Sequence, residues 1–229
     1  MLISISGLDG AGKTTQIKLL LSYYQKIGLK TASIYDLLPD IRYHSFAELQ
    51  QYYSYLSLFD VVHLRFRLNS DENNDIMNIL EYSDFNDKYL AEASALQGFY
   101  DYYLLQKYII NPFLNQGKII ISDRHYYDEI AFKSVYGCDY YRMCKMYEEI
   151  PKPDIAFYLS IPSITAYERN LIRPDGKTSL YRELQNINKL VHFFQKLVQS
   201  TNLIQIDGTK DKDEIHYTLL KNISDLIIG

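Results

Sequence analysis

The sequence contains no tryptophan, 2 cysteines, 10 glycines and 6 prolines among its 229 residues. So little glycine and proline excludes collagen-like and low-complexity chains. The two cysteines, Cys138 and Cys144, form neither a CxxC pair nor a disulfide framework, so we expect reduced thiols. No apolar run approaches the ~20 residues that a membrane-spanning helix needs, so we expect no membrane partner.

The chain also lacks an excess of basic residues, since 24 Lys and Arg face 28 Asp and Glu, for a formal net charge of −4. Proteins that bind nucleic acids usually carry a basic excess, so we expect no nucleic-acid partner. A strongly negative ligand must instead be held by local cationic groups. Residues 1–5 show no basic region or cleavage signal, and we therefore predict a cytoplasmic protein.

Short apolar segments alternate with amphipathic helical segments along the chain. We predict strands at 2–6, 31–35, 118–122, 154–161 and 202–206. This alternation predicts an α/β fold with five parallel strands and helices on both faces of the sheet. Residues 40–90 are less regular, and we interpret them as an enlarged helical insertion. No repeat or linker interrupts the chain, so we expect a single domain over 1–229.

Directly after the first predicted strand, residues 7–14 read GLDGAGKT and fit the phosphate-binding pattern G-x-x-x-x-G-K-[ST]. The glycines allow a tight turn whose N–H groups face phosphate oxygens, and the next helix points its positive end at the same anion. Lys13 would contact the β- and γ-phosphates, and the Thr14 hydroxyl would bind Mg²⁺. Because the guanine-reading N-K-x-D motif is absent, we expect ATP. The predicted nucleotide-binding residues are Gly7, Asp9, Gly10, Ala11, Gly12, Lys13, Thr14 and Thr15.

Two charged residues follow the apolar strand at 118–122. Asp123 and Arg124 come at its carboxyl end, where ligands bind in parallel α/β sheets. Asp123 could hold Mg²⁺ through a water molecule, and the planar guanidinium of Arg124 could clamp a phosphate. The alternative is that Asp123 caps the next helix while Arg124 is solvated.

A third cationic segment lies at 168–177, which reads ERNLIRPDGK. Arg169 and Arg173 would share one helix face, and the Pro-Asp-Gly sequence would then end the helix. We interpret 169–179 as a lid that closes over phosphates and adds positive charge as the transition state develops. A solvated basic helix face is the alternative.

The combination of the phosphate loop, residues 123–125 and the lid resembles the thymidylate kinases, as do residues 153–154 and 206–209. The resemblance implies a five-stranded parallel sheet, ATP and Mg²⁺, and γ-phosphoryl transfer to a nucleoside monophosphate such as dTMP. It also implies that the lid, with Arg169 and Arg173, carries the catalytic arginine. The backbone at Asp207 and Gly208 would flank the adenine, and the chain would form a homodimer.

The acceptor side departs from the family pattern. After the second predicted strand, family members often carry Arg-Glu-Pro or Arg-Phe-Pro against the acceptor phosphate, whereas this chain has Asp36 and no arginine nearer than Arg42. Tyr102 stands where the base-reading arginine is expected, and the base-stacking phenylalanine falls near Gly98 or Phe99. Thymine specificity therefore does not follow from the resemblance. The acceptor-binding candidates are Asp36, Arg42, Phe99, Tyr102, Arg124, His125 and Tyr127.

Two other functions fit the same residues. A deoxynucleoside kinase must remove a proton from a 5′-hydroxyl group, and Asp36 could be its general base. An acceptor without a phosphate would also explain the missing arginine. A nucleotide-binding regulator would keep the phosphate loop without turning over any acceptor.

The sequence has 23 tyrosines, and Tyr102 could select a different base, because tyrosine both stacks and hydrogen-bonds.

Overall fold

The computed structural model describes residues 1–37, 50–65, 88–172 and 183–228. The strands in these ranges are β1 (Leu2–Gly7), β2 (Thr31–Ser33), β3 (Val61–Arg65), β4 (Ile119–Asp123), β5 (Ile155–Ser160) and β6 (Leu203–Asp207). The helices are α1 (Lys13–Lys26), α2 (Ile34–Leu37), α3 (Tyr53–Leu56), α4 (Lys88–Leu105), α5 (Asn111–Asn115), α6 (Tyr126–Val135), α7 (Tyr140–Tyr147), α8 (Ser163–Leu171), α9 (Leu184–Ser200) and α10 (Lys212–Ile228). A π-helical turn over Gln106–Ile110 joins α4 to α5.

The strands form one parallel sheet in the order β2-β3-β4-β1-β5-β6, which confirms the predicted α/β class. The strand that leads into the phosphate loop, β1, is central, and its Ile5 is level with Asp123 of β4 and Phe157 of β5. It is buried along its whole length, because helices cover both faces of a parallel sheet. Since all the strands are parallel, their carboxyl ends share one edge. The phosphate loop and Asp123 meet at that edge.

The predicted number of five strands is wrong, because β3 lies inside the segment interpreted as a helical insertion. It runs between β2 and β4, pairs with both, and its first four residues are buried. A short apolar run of this kind cannot be distinguished from a buried helix by its periodicity. The β-branched pair Val61-Val62 was the available sign of a strand. Within the predicted insertion, 40–90, residues 40–49 and 66–87 lie outside the described residues.

The second strand is also shorter than predicted, since β2 ends at Ser33 and the chain turns at once into α2. Asp36 therefore lies in a short helix at the outer edge of the sheet, where it is exposed. The sequence predicted Asp36 directly after the end of the second strand, whereas the first two residues of α2 separate it from β2 in the structure.

The helices pack in groups against the sheet. One group joins α1 to α10, and another brings α4, α7 and α9 around α6. The amphipathic helix α9 buries one face, whose side chains recur at helical spacing: Ile187, Leu190, Phe194 and Leu197. At the start of α6, the Asp128 carboxylate accepts the backbone N–H of His125 at 3.1 Å, which fixes the turn after β4. Among the helices described, none combines the length and apolar character needed to cross a bilayer.

Candidate active site

The turn between β1 and α1 has the backbone geometry that a phosphate loop requires. Gly10 and Gly12 have φ angles of +83° and +94°, in the left-handed region that disfavours side chains. A Cβ atom on Gly10 would also lie 3.1 Å from the Cβ atom of Arg169. Helix α1 begins at Lys13, so its positive N-terminal end lies at this turn.

A cavity of about 310 Å³ lies beside the loop at the carboxyl edge of the sheet. Its walls combine glycine backbone with cationic, anionic and hydroxyl side chains, contributed by Asp9, Gly10, Gly12, Lys13, Thr14, Thr15, Arg65, Asp123 and Arg124. The sequence predicted all of these residues except Arg65. Three cationic side chains in one cavity can neutralise the charge of more than one phosphate group.

Lys13 is buried and folds back onto its own loop. Its Nζ atom donates to the carbonyl oxygens of Gly7 and Leu8, at 2.9 and 2.8 Å, and lies 4.0 Å from Oδ1 of Asp9. Burial, together with the nearby charge of Arg124, lowers the pKa of Lys13 to about 8. The ammonium group therefore has a reduced affinity for its proton until an anion enters the cavity.

Arg124 is held by three acceptors at the junction of β1, β4 and α6. Its Nη1 atom donates to Asp128 Oδ1 at 2.9 Å and to the Gly7 carbonyl at 3.1 Å, and its Nη2 atom donates to Asp9 Oδ1 at 2.5 Å. Burial opposes the charge, but the carboxylates of Asp9, Asp128 and Asp123 outweigh burial and raise the pKa of the guanidinium. Arg124 is also the one non-glycine residue with a positive φ in the described ranges, at 72°. Such a conformation is costly and is commonly found at functional sites.

Arg65 is the cavity residue that the sequence did not reveal. It ends β3 and is level with Asp123 at the end of β4, so two neighbouring strands deliver charged side chains to the same cavity. The sequence predicted the acceptor-side strand at 31–35, whereas the strand that pairs with β4 is β3. The short run before Arg65, which begins with the β-branched pair Val61-Val62, was the sequence signal that could have identified it.

The aromatic candidates for the base pocket form a packed cluster away from the walls of this cavity. The ring centroid of Tyr102 lies 6.2 Å from that of His125 and 5.6 Å from that of Tyr147. The ring centroid of Phe99 also lies 5.6 Å from that of Tyr147. Tyr102 is only 3% exposed. Burial lowers the pKa of His125 to about 3, so its imidazole is neutral near pH 7 and carries no charge toward a phosphate.

Two other acceptor candidates do not line the cavity. The Tyr127 hydroxyl donates to Asn202 Oδ1 at 2.7 Å, next to the start of β6. Asp36, in α2 beyond β2 and β3, does not line the cavity. Arg42 lies outside the described residues.

The start of the predicted lid contacts the phosphate loop. Arg169, near the end of α8, donates from Nη1 to the Gly10 carbonyl at 2.7 Å. Arg173 and the rest of the lid, 173–179, lie outside the described residues. Thus one of the two predicted lid arginines lies over the loop that would hold the donor phosphates.

The segment predicted to flank the adenine packs beside the loop. A Cβ atom on Gly208 would lie 3.5 Å from the Ala11 carbonyl and 2.9 Å from Ile161, so this close approach requires glycine. The Asp207 carboxylate accepts the Thr209 backbone N–H at 2.9 Å and the Thr209 hydroxyl at 2.6 Å. Asp207 therefore shapes the turn through its side chain.

Thr14 and Asp123, the predicted Mg²⁺ residues, both line the cavity. Within the described ranges, no cluster of three or more His, Cys, Asp or Glu side chains could hold a metal ion by itself. This arrangement fits Mg²⁺, which keeps several waters and is usually bound by one or two carboxylates together with substrate phosphates.

A phosphate loop at the centre of a parallel sheet, with cationic side chains at the strand ends, defines an α/β phosphate-binding protein. The family model "Thymidylate kinase" matches residues 73–219. The chain belongs to the thymidylate kinase family and is a nucleoside monophosphate kinase, which confirms the resemblance.

Curated relatives span nearly the whole chain. The probable thymidylate kinase of Pyrococcus horikoshii is 24% identical over 231 residues, which cover 99% of this chain and 97% of the relative. The thymidylate kinase of Fervidobacterium nodosum is 24% identical over 234 residues, with 96% and 97% covered. The probable thymidylate kinase of Archaeoglobus fulgidus is 30% identical over 119 residues, with 52% and 59% covered. The first alignment, which covers 99% of this chain, includes the phosphate loop, which precedes the region matched by the family model.

Proposed function

We propose that this chain transfers the γ-phosphoryl group of ATP to the phosphate of dTMP, giving dTDP and ADP. The observation that carries this proposal is the cavity in which Lys13, Arg65 and Arg124 lie together at the carboxyl ends of β1, β3 and β4. Two phosphate-bearing substrates must approach each other there, and the three cations reduce the repulsion between them. The choice of dTMP as acceptor is supported by the names of the relatives.

The donor phosphates would bind to the phosphate loop, with Lys13 exchanging its two carbonyl partners for phosphate oxygens. Arg124 and Arg65 would hold the acceptor phosphate on the side of β3 and β4. Arg169, which already contacts the loop, would neutralise charge between donor and acceptor in the transition state. No general base is needed, because the acceptor phosphate oxygen is itself the nucleophile.

Mg²⁺, bound with the donor phosphates, would supply further charge neutralisation between the β- and γ-phosphates. Thr14 and Asp123 would hold it through oxygen atoms, directly or through water. The adenine would lie near Gly208, whose close packing against Ile161 leaves no room for a side chain.

Arg65 also supports a monophosphate as the acceptor. In the sequence it is followed by Phe66, which matches the first two residues of the Arg-Phe-Pro segment that family members often carry, whereas Arg67 stands in place of the proline. The apparent absence of this arginine was a reason to consider a deoxynucleoside kinase. The base proposed for that reaction, Asp36, lies outside the cavity. Because the chain belongs to a kinase family, an enzyme that turns over its acceptor is favoured over a nucleotide-binding regulator.

The test is an ADP-release assay with ATP and Mg²⁺ over thymidine and the monophosphates dTMP, dUMP, dCMP, dAMP and dGMP. We expect the highest kcat/KM with dTMP and no turnover with thymidine. Preferential turnover of thymidine would replace the proposal with a nucleoside kinase. Preference for another monophosphate would retain the reaction and overturn the base assignment.

We further propose the homodimer that the family resemblance implied. On one side of α4, Tyr89, Leu96 and Tyr103 are 84%, 61% and 45% exposed, and they recur every seven residues. This is the spacing at which two helices pack along a shared seam. Sedimentation equilibrium should give a dimer at micromolar concentration, and Leu96→Lys should shift it toward monomer. A wild-type monomer under these conditions would contradict the proposal.

A further inference from the structure

We infer that Asp128 is a positioning residue, which anchors one end of the Arg124 guanidinium so that the other end is available to the acceptor phosphate. This inference rests on the proposed function, in which Arg124 contacts that phosphate. Asp128 was not among the residues singled out from the sequence, and it does not line the cavity.

Asp128 links the structural elements that form the site. Its side chain is 2% exposed. One carboxylate oxygen, Oδ1, accepts Arg124 Nη1 at 2.9 Å and the Gly7 backbone N–H at 3.3 Å. The other oxygen, Oδ2, accepts the His125 backbone N–H at 3.1 Å. A single carboxylate thus ties the end of β1, the turn after β4 and the side chain of Arg124 together.

The two ends of the guanidinium have different surroundings. Nη1 contacts Asp128 and the Gly7 carbonyl, both in the interior. Nη2 contacts Asp9, whose side chain is 35% exposed and which lines the cavity. An incoming phosphate can therefore replace Asp9 at Nη2 without disturbing Nη1. Asp128, whose side chain is 2% exposed, can keep its hydrogen bond to Nη1 of Arg124.

The backbone of Arg124 adds a reason for such an anchor. Its φ angle of 72° is unfavourable for a residue with a side chain, so surrounding contacts must maintain it. The carboxylate of Asp128 holds this turn from both directions, through the backbone of His125 and the side chain of Arg124. Asn at 128 would keep a similar shape but would lose the negative charge and one of the two acceptor atoms.

The experiment is a double-mutant cycle with Asp128→Asn and Arg124→Ala, in which acceptor KM, donor KM and kcat are measured for each variant. Asp154→Asn is the matched control, because Asp154 accepts the Leu2 backbone N–H at the opposite end of β1. We expect Asp128→Asn to raise the acceptor KM about tenfold and to change the donor KM less than about twofold. In the Arg124→Ala background, the same substitution should have no further effect on activity.

A wild-type acceptor KM in Asp128→Asn, or losses that add to those of Arg124→Ala, would overturn the positioning role. A parallel rise in donor KM would indicate a general role in supporting the phosphate loop and would also overturn it. If Arg124→Ala itself keeps wild-type kinetics, the failure lies in the proposed function. Thermal unfolding of each variant identifies any that do not fold, and the cycle can then be repeated with Asp128→Glu, which keeps the charge.

Discussion

The proposed donor and acceptor sides of the cavity are built in different ways. The donor side consists of one continuous segment, residues 7–15, in which glycine conformations and the start of α1 form the binding surface. The acceptor side depends on single side chains, Arg65 from β3 and Arg124 from the end of β4, that are far apart in the sequence. The first is a local backbone structure, whereas the second exists only once the strands are in the correct order.

The two sides also differ in how their cations are held. Lys13 donates its hydrogen bonds to carbonyl oxygens of its own loop, which are neutral partners that a phosphate can readily replace, while the Asp9 carboxylate lies 4.0 Å away. Arg124 contacts two carboxylates, one of them fully buried, and so remains charged and fixed. This contrast predicts that donor-side substitutions abolish turnover, whereas acceptor-side substitutions divide their effects between KM and kcat.

The largest effect is expected on the donor side. Lys13→Ala should lower kcat by about 10³-fold, equivalent to roughly 4 kcal/mol of transition-state stabilisation, because it removes the cation proposed to contact the donor phosphates. Lys18→Ala, on the exposed face of the same helix, is the control and should be silent. Retention of substantial turnover in Lys13→Ala, measured by ADP release, would remove the donor assignment.

On the proposed acceptor side, Arg65→Ala should lower kcat/KM for dTMP by about 10²-fold, mostly through KM, because it removes one of the two arginines proposed to hold the acceptor phosphate. Asp36→Ala should leave kinetics within about twofold of wild type, since Asp36 lies outside the cavity. The pair of variants separates the two hypotheses for this edge of the sheet. The reverse result would favour a general base at Asp36 and an acceptor without a phosphate.

The same contrast explains what the sequence could predict. The phosphate loop was readable because its glycines, lysine and threonine occupy fixed positions within eight consecutive residues. Arg65 was missed because its role depends on β3 lying between β2 and β4, which is a long-range pairing. The alternation of strands and helices gave the fold class. The number of strands was wrong because a buried five-residue strand has no distinguishing period.

Asp128 shows a related limit. Its spacing from Arg124 would suit an ordinary ion pair on a helix surface, and nothing in the sequence indicates that it is buried. Only the packing of α6 against the end of β1 brings its carboxylate to the Gly7 N–H group. Residues that act through other residues are therefore harder to identify from sequence than residues that contact a ligand.

A smaller effect is expected from pH. Lys13 has a pKa lowered to about 8 by burial and by Arg124, so the free enzyme loses the ammonium proton as pH rises through that value. We expect kcat/KM for ATP to fall about tenfold per pH unit above this value, while kcat falls less, because bound phosphate favours the charged form. A flat kcat/KM profile up to pH 9.5, with stability checked by thermal unfolding, would contradict this role for Lys13.

The smallest effect is expected for Tyr102→Phe. The ring of Tyr102 packs against His125 and Tyr147, and with 3% exposure its hydroxyl lies within the cluster and outside the cavity wall. Removing the hydroxyl should change the KM for dTMP less than about threefold and stability by about 1 kcal/mol, because the packing of the ring is kept. Phe99→Leu provides a matched change in the same cluster. A tenfold rise in acceptor KM with unchanged stability would mean that the hydroxyl reaches the base. The cluster would then open on acceptor binding, and the acceptor side would include a base-reading element that is closed in this structure.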